Sequence, residues 1–486
     1  MVSGVRKLSV FALALGGPVG GVGLHSRRTI EVVPGARRTL SSLRNLGYKI
    51  HEAVADVVDN SISADAERVD ITLRFDGPHS WIRIADNGRG MDARQLTEAF
   101  RYGSERDYER ADLGRYGFGL KAASTSQCRR LTVVSLARSA GATVEAFQLD
   151  LDHVERVNSW EIFHLDPERI PQAALEGLGD GPGTVVLWED LDRLLQYSDP
   201  FGKWAQKQMY QCAQEIDEHL ALVFHRFLAG EVPEHTLEIT VNDTRVEPWD
   251  PFCRAEPNTV ALPEEHLEVN SRDGNGIVRL RPFILPAQQQ FSSQPAWKKA
   301  SGPKNWNRQQ GFYVYRADRI IQFAGWHRLR GSDEHTKLAR VSLEFHRELD
   351  GAFGVEVSKA SVTLPRGLRD ELAQLVPHWT QLADRVYRRK ERPAGSPPHA
   401  QAKRTSSPAP TPQPRPAASV PPPGRLPQDH TASTNGSAVR TGPPQQTTTR
   451  TALEQAAKQT GDTAALQRIL AVVRSNNPEI VRVLGW

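Results

Sequence analysis

Across residues 47–63 the apolar residues Val54, Val57, Val58 and Ile62 keep to one side of a 3.6-residue repeat, which predicts an amphipathic helix. Along its other side Glu52, Asp56, Asn60 and Ser63 recur at three- or four-residue steps. The period then changes. Residues 68–75 and 80–85 read as strands, with Trp81, Ile82 and Ile84 favouring extended backbone, and Asp86 stands where the second run ends. Helical spacing returns over 95–102 and 120–126. Further on, 237–241 and 244–247 flank Asn242-Asp243, a hairpin signal, and 311–316 followed by 319–321 reads as a second hairpin. Residues 341–345, 354–357 and 362–365 are further extended runs. Strands and helices mixed in this way predict an α+β protein.

The pattern stops near Glu391. Residues 391–450 are dense in Pro, Ser, Thr and Gln and lack aliphatic clusters, so they are expected to form a disordered linker. Seven Arg or Lys stand there against Glu391 and Asp429, a net of +5 beside +4 for the whole chain. Attraction to nucleic acid from net charge alone would therefore sit in this linker; a solvated spacer is the plainer reading. Residues 451–486 return to helical spacing, with Leu466, Ile469, Leu470 and Val473 on one face. So short a unit buries little alone, and a docking element for a partner or a second copy is expected. With 486 residues the chain has room for two or three domains. Cys128, Cys212 and Cys253 are widely spaced without metal-type pairing, which fits a reducing compartment. No stretch is long and apolar enough to span a bilayer.

Three motifs carry chemistry. On the first helix, Glu52 and Asp56 place carboxylates beside the carboxamide of Asn60, and one such oxygen plus phosphate oxygens suits Mg²⁺. Asp86-Asn87-Gly88-Arg89-Gly90-Met91 sets a carboxylate at a strand end, where it can accept from an adenine amino group while the glycines let the backbone turn tightly. Gly114-Arg115-Tyr116-Gly117-Phe118-Gly119-Leu120-Lys121 leads a glycine-rich loop into a helix, whose backbone N–H groups suit phosphate. Lys121 either adds positive charge near the phosphates or snorkels at the surface. Each motif also has a bland reading, a solvated acidic face or a plain Asn-Gly turn, and it is the ordered triplet that carries weight. G-x-x-x-x-G-K-[ST] does not occur in that loop, which excludes a P-loop there.

In order and separation these motifs resemble the nucleotide site of the GHKL ATPases: gyrase B, heat-shock-90-type chaperones, histidine kinases and MutL. The resemblance implies a Bergerat-type α/β sandwich that binds ATP and Mg²⁺. It assigns the metal to Asn60, activation of the attacking water to Asp56, and adenine to Asp86 with Gly88, Gly90 and Met91. The lid becomes Gly114, Gly117, Phe118, Gly119 and Leu120, with Lys121 beside it, and Gly183-Thr184-Val185-Val186 resembles the strand whose Thr184 hydroxyl sits near the base. MutL and the eukaryotic MORC ATPases usually carry Glu where Asp56 stands; Asp is shorter, so either the water sits closer to the helix or Glu52 shares the task. The region from 236 resembles a transducer domain, in which Lys359 of Val-Ser-Lys-Ala-Ser would reach the terminal phosphate or else be a surface strand lysine.

The stretches 55–62, 119–124, Phe224-His225-Arg226-Phe227-Leu228, Glu247-Pro248-Trp249-Asp250-Pro251-Phe252 and Tyr315-Arg316-Ala317-Asp318-Arg319 narrow the resemblance to bacterial MutL/MORC-like ATPases of restriction-modification and phage-defence clusters. It covers roughly residues 30–375. The implied organisation is an N-terminal arm (1–28), an ATP-binding domain (29–235), a transducer-like domain (236–390), the linker (391–450) and the helical tail (451–486). Residues 9–23, apolar and preceded by Arg6 and Lys7, have the look of a signal peptide; a site for cytoplasmic nucleotide favours an arm, or an overextended start, and a cytoplasmic protein. The expected function is an Mg²⁺-dependent ATPase that dimerises on ATP and acts on DNA with a restriction endonuclease or helicase partner, with no membrane. A nucleotide-gated scaffold with little turnover stays open beside it. A histidine-kinase-like phosphotransferase is disfavoured, because His51 lies only nine residues before Asn60 in the same helix.

Overall fold

The computed structural model describes residues 34–45, 47–102, 119–139, 141–195, 199–233, 235–355 and 362–389, together with Thr463. The linker and tail expected beyond residue 390 lie, Thr463 apart, outside the described residues. The first sheet has eight strands: β1 (Arg68–Arg74), β2 (Trp81–Asp86), β3 (Arg130–Leu136), β4 (Val144–Asp150), β5 (Phe163–His164), β6 (Gly183–Glu189), β7 (Glu238–Val241) and β8 (Thr244–Arg245). Their spatial order is β5-β4-β3-β6-β2-β1-β7-β8, antiparallel except where β7 runs parallel to β1. This sheet is covered on both faces, so its central strands read as nearly unbroken apolar runs. On β2, β3 and β6, residues Ile84, Val133 and Val186 join one core while their neighbours Ala85, Val134 and Val185 join another.

The helices fill those faces. α1 (Ala36–Arg44), α2 (Ile50–Ser63), α3 (Ala93–Phe100), α4 (Gly119–Thr125) and α5 (Leu151–Val157) come from the first half of the chain. α2 packs on α4 and on the long α7 (Lys203–Val223), forming the main helical layer, whereas α6 (Gln172–Leu178) closes the opposite face over β2, β3 and β6. α2 is apolar on the side the sequence indicates, with Val54 and Val58 fully buried. The first three elements fall where the spacing places them, at α2, β1 and β2, and α3, α4 and β6 follow. This is a Bergerat-type α/β sandwich.

A short α8 (His225–Leu228) leads to the hairpin β7–β8, whose two turn residues Asn242 and Asp243 have φ of 47° and 62°. Left-handed backbone at both central positions suits the right-handed twist of the flanking strands. The hairpin belongs to the edge of the first sheet beside β1, where Asn242 Oδ1 also accepts from Leu73 N at 2.8 Å, and not to the sheet that follows. That second sheet has six strands: β9 (Val260–Ala261), β10 (Glu265–Ser271), β11 (Gly274–Ile284), β12 (Gly311–Arg316), β13 (Arg319–Phe323) and β14 (Ala339–Phe345). Its path is β10-β11-β14-β12-β13, with β9 on β11. The β12–β13 turn again has two left-handed residues, Ala317 and Asp318, at 47° and 61°. Helices α9 (Gln294–Ala300) and α10 (Asn305–Arg308) lie between β11 and β12, and α11 (Arg366–Arg389) buries Leu368, Leu372, Val376, Trp379 and Ala383 at helical steps.

One expected strand needs correction, and another is described only in part. Of 354–357, Gly354 lies in a turn at φ 54° and Val355 is in no strand, while 356–361 lie outside the described residues. Residues 362–365 form no strand: the Val362 N–H donates to the Gln322 side chain at 2.8 Å, so the backbone donor is met without a neighbouring strand.

The two sheets share one hydrophobic core. Polar groups also meet at their junction. His225 Nε2 and the Tyr315 hydroxyl lie 2.7 Å apart, Arg226 donates to Asp318 at 2.7 Å, and its guanidinium sits 3.9 Å from the centre of the Tyr315 ring. Arg340, fully buried, donates to the carbonyls of Pro251 and Ala300. The stretches beginning at Phe224, Glu247 and Tyr315, far apart in sequence, therefore meet here.

Candidate functional site

The site begins where β2 ends. Asp86 is its last residue; Oδ2 accepts from Ser61 Oγ of α2 at 2.8 Å and Oδ1 from the Gly88 N–H at 3.0 Å. Burial pushes the Asp86 carboxyl up from its ordinary value, and hydrogen bonds from the Gly88 backbone, Ser61 and the Thr184 backbone act against that rise. Thr184 opposes Asp86 across the β2–β6 ladder, and its hydroxyl lies 2.8 Å from Ser135 Oγ of β3. Ser135 in turn accepts from the Met91 N–H at 2.8 Å. Asp86, Thr184 and Met91 are thus tied into one polar cluster at the ends of three strands. Asn87 has a structural role, its Oδ1 accepting from Glu67 N and Arg68 N at the start of β1.

Glycine is required in two of these places. Gly90 has φ 65°, and a Cβ there would lie 1.9 Å from the Leu136 carbonyl oxygen. Gly183 runs so close to β2 that a Cβ would lie 2.2 Å from the Asp86 carbonyl oxygen. Gly88 lies close to Ala64, the residue that ends α2.

Next to Ser61 on α2, Asn60 is exposed, the only polar side chain of the acidic face that is. Asp56, one turn earlier, is placed quite differently. Its side chain has no solvent exposure; Oδ2 accepts from the Tyr48 hydroxyl at 3.0 Å, and Oδ1 lies 3.6 Å from Nη2 of Arg319 on β13. The same guanidinium brings Nε within 2.8 Å of Asp59 Oδ1, at ion-pair distance though not aligned as a hydrogen bond. Burial and the Asp56 carboxylate push the Tyr48 hydroxyl far up, so it stays a donor. Glu52 is half-buried and accepts from the Lys49 N–H at 3.0 Å, closing the start of α2. Among the described residues no group of three His, Cys, Asp or Glu stands where protein alone could hold a metal. A magnesium ion at Asn60 would need phosphate oxygens and water to complete its shell, which the exposed carboxamide permits.

At the lid end, Gly119 and Leu120 open α4, while Gly114, Gly117 and Phe118 lie outside the described residues, as does Lys359. Lys121 is not a surface lysine. It is buried, with Nζ donating to the carbonyls of Ala99 at 3.0 Å and Arg101 at 2.7 Å, at the end of α3. A cation there meets the negative end of that helix. Burial lowers its pKa to about 8.

Sequence reasoning missed Tyr48, Ser61, Ser135 and Arg319. Ser61 sits beside Asn60 in the first motif and was within reach of the spacing; Arg319 and Ser135 gain their roles only through the sheets. A cleft of about 580 Å³ between α7, the β7–β8 hairpin and Lys299 shares no residue with this site.

Residues 48–178 match the family described as Histidine kinase-, DNA gyrase B-, and HSP90-like ATPase. The chain is also 38% identical over 93 residues to the DNA mismatch repair protein MutL of Rhodospirillum rubrum, a match covering 18% of this chain and 15% of that protein. The match therefore spans well under a quarter of the curated relative.

Lys121 sets a pH dependence. Its folded pKa of about 8 lies below the ordinary 10.5, so between these values the unfolded chain binds more protons and stability rises with pH. The expected gain across that window is at most about 3 kcal/mol. Urea unfolding of the wild type at pH 7.5 and 10 should show it, and Lys121→Met should remove it; equal slopes in both proteins would exclude Lys121 as the source.

Proposed function

We propose, from the premise that residues 48–178 form a GHKL-type ATPase domain, that this protein hydrolyses ATP with Mg²⁺ and uses the nucleotide to gate a dimeric clamp on DNA. The observation that carries the nucleotide site is the Asp86 carboxylate, held at the end of β2 by Gly88 and by Ser61, the residue next to the exposed Asn60 on α2. Adenine offers an amino donor that such a carboxylate accepts, and phosphates then extend toward Asn60 and the start of α4. Bound Mg²⁺ would neutralise charge on the phosphate oxygens. Asn60 would hold the ion and Asp86 would orient the base, while Asp56 would take the proton of the attacking water, with Glu52 as the other acid on that face.

DNA as the substrate, a nuclease or helicase partner and a role in phage defence extend this reading. They rest on the MutL/MORC-like motifs and on the name of the mismatch-repair relative, and a cytoplasmic location goes with them. One observation favours a second reading, a nucleotide-gated scaffold with little turnover: the Asp56 side chain is enclosed by Tyr48 and Arg319 and has no exposure to water. A phosphotransferase using His51 is disfavoured further. That imidazole is packed 4.6 Å from the ring of His219 and lies 3.8 Å from Glu215, so it is not presented as an acceptor.

Titration calorimetry should give binding of ATP with Mg²⁺ by the wild type and a loss of about 1–3 kcal/mol in Asp86→Ala, because the adenine donor is left unpaired. A folded Asp86→Ala variant with wild-type affinity would refute the assignment. In a steady-state assay Asp56→Asn should retain binding and lower kcat about a hundredfold to ten-thousandfold. Should Glu52→Gln show that loss and Asp56→Asn not, the base lies one turn earlier. For the clamp, light scattering on the full chain should show a dimer with a non-hydrolysable ATP analogue and a monomer with ADP or no nucleotide; one mass in all three states would eliminate it.

A further inference from the structure

The start of α7 carries the most exposed large hydrophobic side chains of the described residues. Phe201, Trp204 and Tyr210 are 64%, 73% and 75% exposed, against 53% for Ile277, the next in order. Trp204, Lys207 and Tyr210 follow at steps of three, so each side chain neighbours the next, and Phe201 stands just before the helix. The Lys207 ammonium lies 5.4 Å from the centre of the Trp204 ring. The Phe201 ring lies over Gly77, where a Cβ would come within 2.3 Å of it. A row of aromatic surface left in water gains free energy when a partner covers it, and Trp and Tyr are prominent among interface anchors.

The row ends in the cleft between α7 and the β7–β8 hairpin, of which Tyr210 is a lining residue. Ala213, Ala221 and Val241 make part of that lining apolar. Three carboxylates, Asp217, Glu218 and Glu247, line it as well, against the two cations Arg245 and Lys299. Burial alone pushes the Asp217 carboxyl up, and no cation stands within ion-pair distance of it among the described residues. A carboxylate so placed is met by a cation brought from outside. The same carboxylates repel phosphate, which disfavours a nucleic acid along this face.

We propose that this face of α7 docks a segment of a partner protein, which lays apolar side chains on Trp204 and Tyr210 and sets a lysine or arginine into the cleft beside Asp217. From Trp204 to Asp217 the surface runs about 20 Å along the helix axis, the length of a helical segment of about thirteen residues. None of these residues belongs to the nucleotide cluster, so the docking face stands whether or not the protein turns over ATP.

The test uses the full-length protein and two labelled synthetic peptides of about thirteen residues. The basic peptide has leucines along one helical face and arginines at both ends; the acidic peptide has glutamates in place of the arginines. Fluorescence anisotropy should show the basic peptide binding, and the acidic peptide binding at least about tenfold more weakly. Trp204→Ala and Tyr210→Ala should each weaken the basic peptide about tenfold. Asp217→Asn should weaken it about fivefold, and Asp217→Lys should reverse the preference between the two peptides. These side chains are exposed or half-buried, so the variants keep the fold, which unchanged thermal unfolding checks. Hydrogen exchange with the basic peptide bound should slow in α7 and in the β7–β8 hairpin. No binding of the basic peptide, equal binding of both peptides, or binding that the substitutions leave unchanged overturns the proposal. Binding of an oligothymidylate that is lost in Trp204→Ala and Tyr210→Ala would give the face to single-stranded nucleic acid. A nucleotide-free dimer lost in the same variants would give it to a second copy, and either result overturns the partner-protein assignment.

Discussion

A backbone can approach another backbone closely only where no side chain intervenes, and the nucleotide end of this protein is built on that constraint. Gly90 lies against the Leu136 carbonyl at the end of β3, and Gly183 lies against the Asp86 carbonyl at the end of β2. With those contacts in place, the ends of β2, β3 and β6 converge, and Ser135, Thr184, Asp86 and the Met91 N–H fall within hydrogen-bonding reach of one another or of the chain beside them. Side chains at either glycine would push the strand ends apart and scatter these groups. The Asp86 carboxylate is thus held by glycines as much as by its own hydrogen bonds.

The second feature is the polar contact at the junction of the sheets. Paired ions and hydrogen bonds between packed layers cost desolvation and require their partners in register. Here Arg226 joins Asp318 and stacks on Tyr315, and His225 meets the Tyr315 hydroxyl; within the second sheet's own region, Arg316 holds Asp350 through two hydrogen bonds of 2.7 and 2.9 Å. Arg319 extends this polar seam into α2. The second sheet thus meets α2 through a guanidinium, 2.8 Å from Asp59 and 3.6 Å from Asp56, as well as through the shared apolar core.

The sequence by itself determined the local elements and the chemistry that lies along them. α2 follows from Val54, Val57, Val58 and Ile62, the hairpins from Asn242-Asp243 and Ala317-Asp318, and the site from carboxylates, a carboxamide and glycines whose spacing is local. Only the tertiary structure decided which of those polar groups face water. Asn60 and Asp56 share a helical face, yet one is exposed and the other sealed, because Tyr48 and a residue 263 positions further on close over Asp56. Lys121 likewise reads as a phosphate ligand or a surface residue until α3 is placed beside it, when its ammonium becomes the cap of that helix. Periodicity reports what a segment does with its own neighbours; burial and charge pairing depend on residues brought close by the sheets, and no local spacing encodes them.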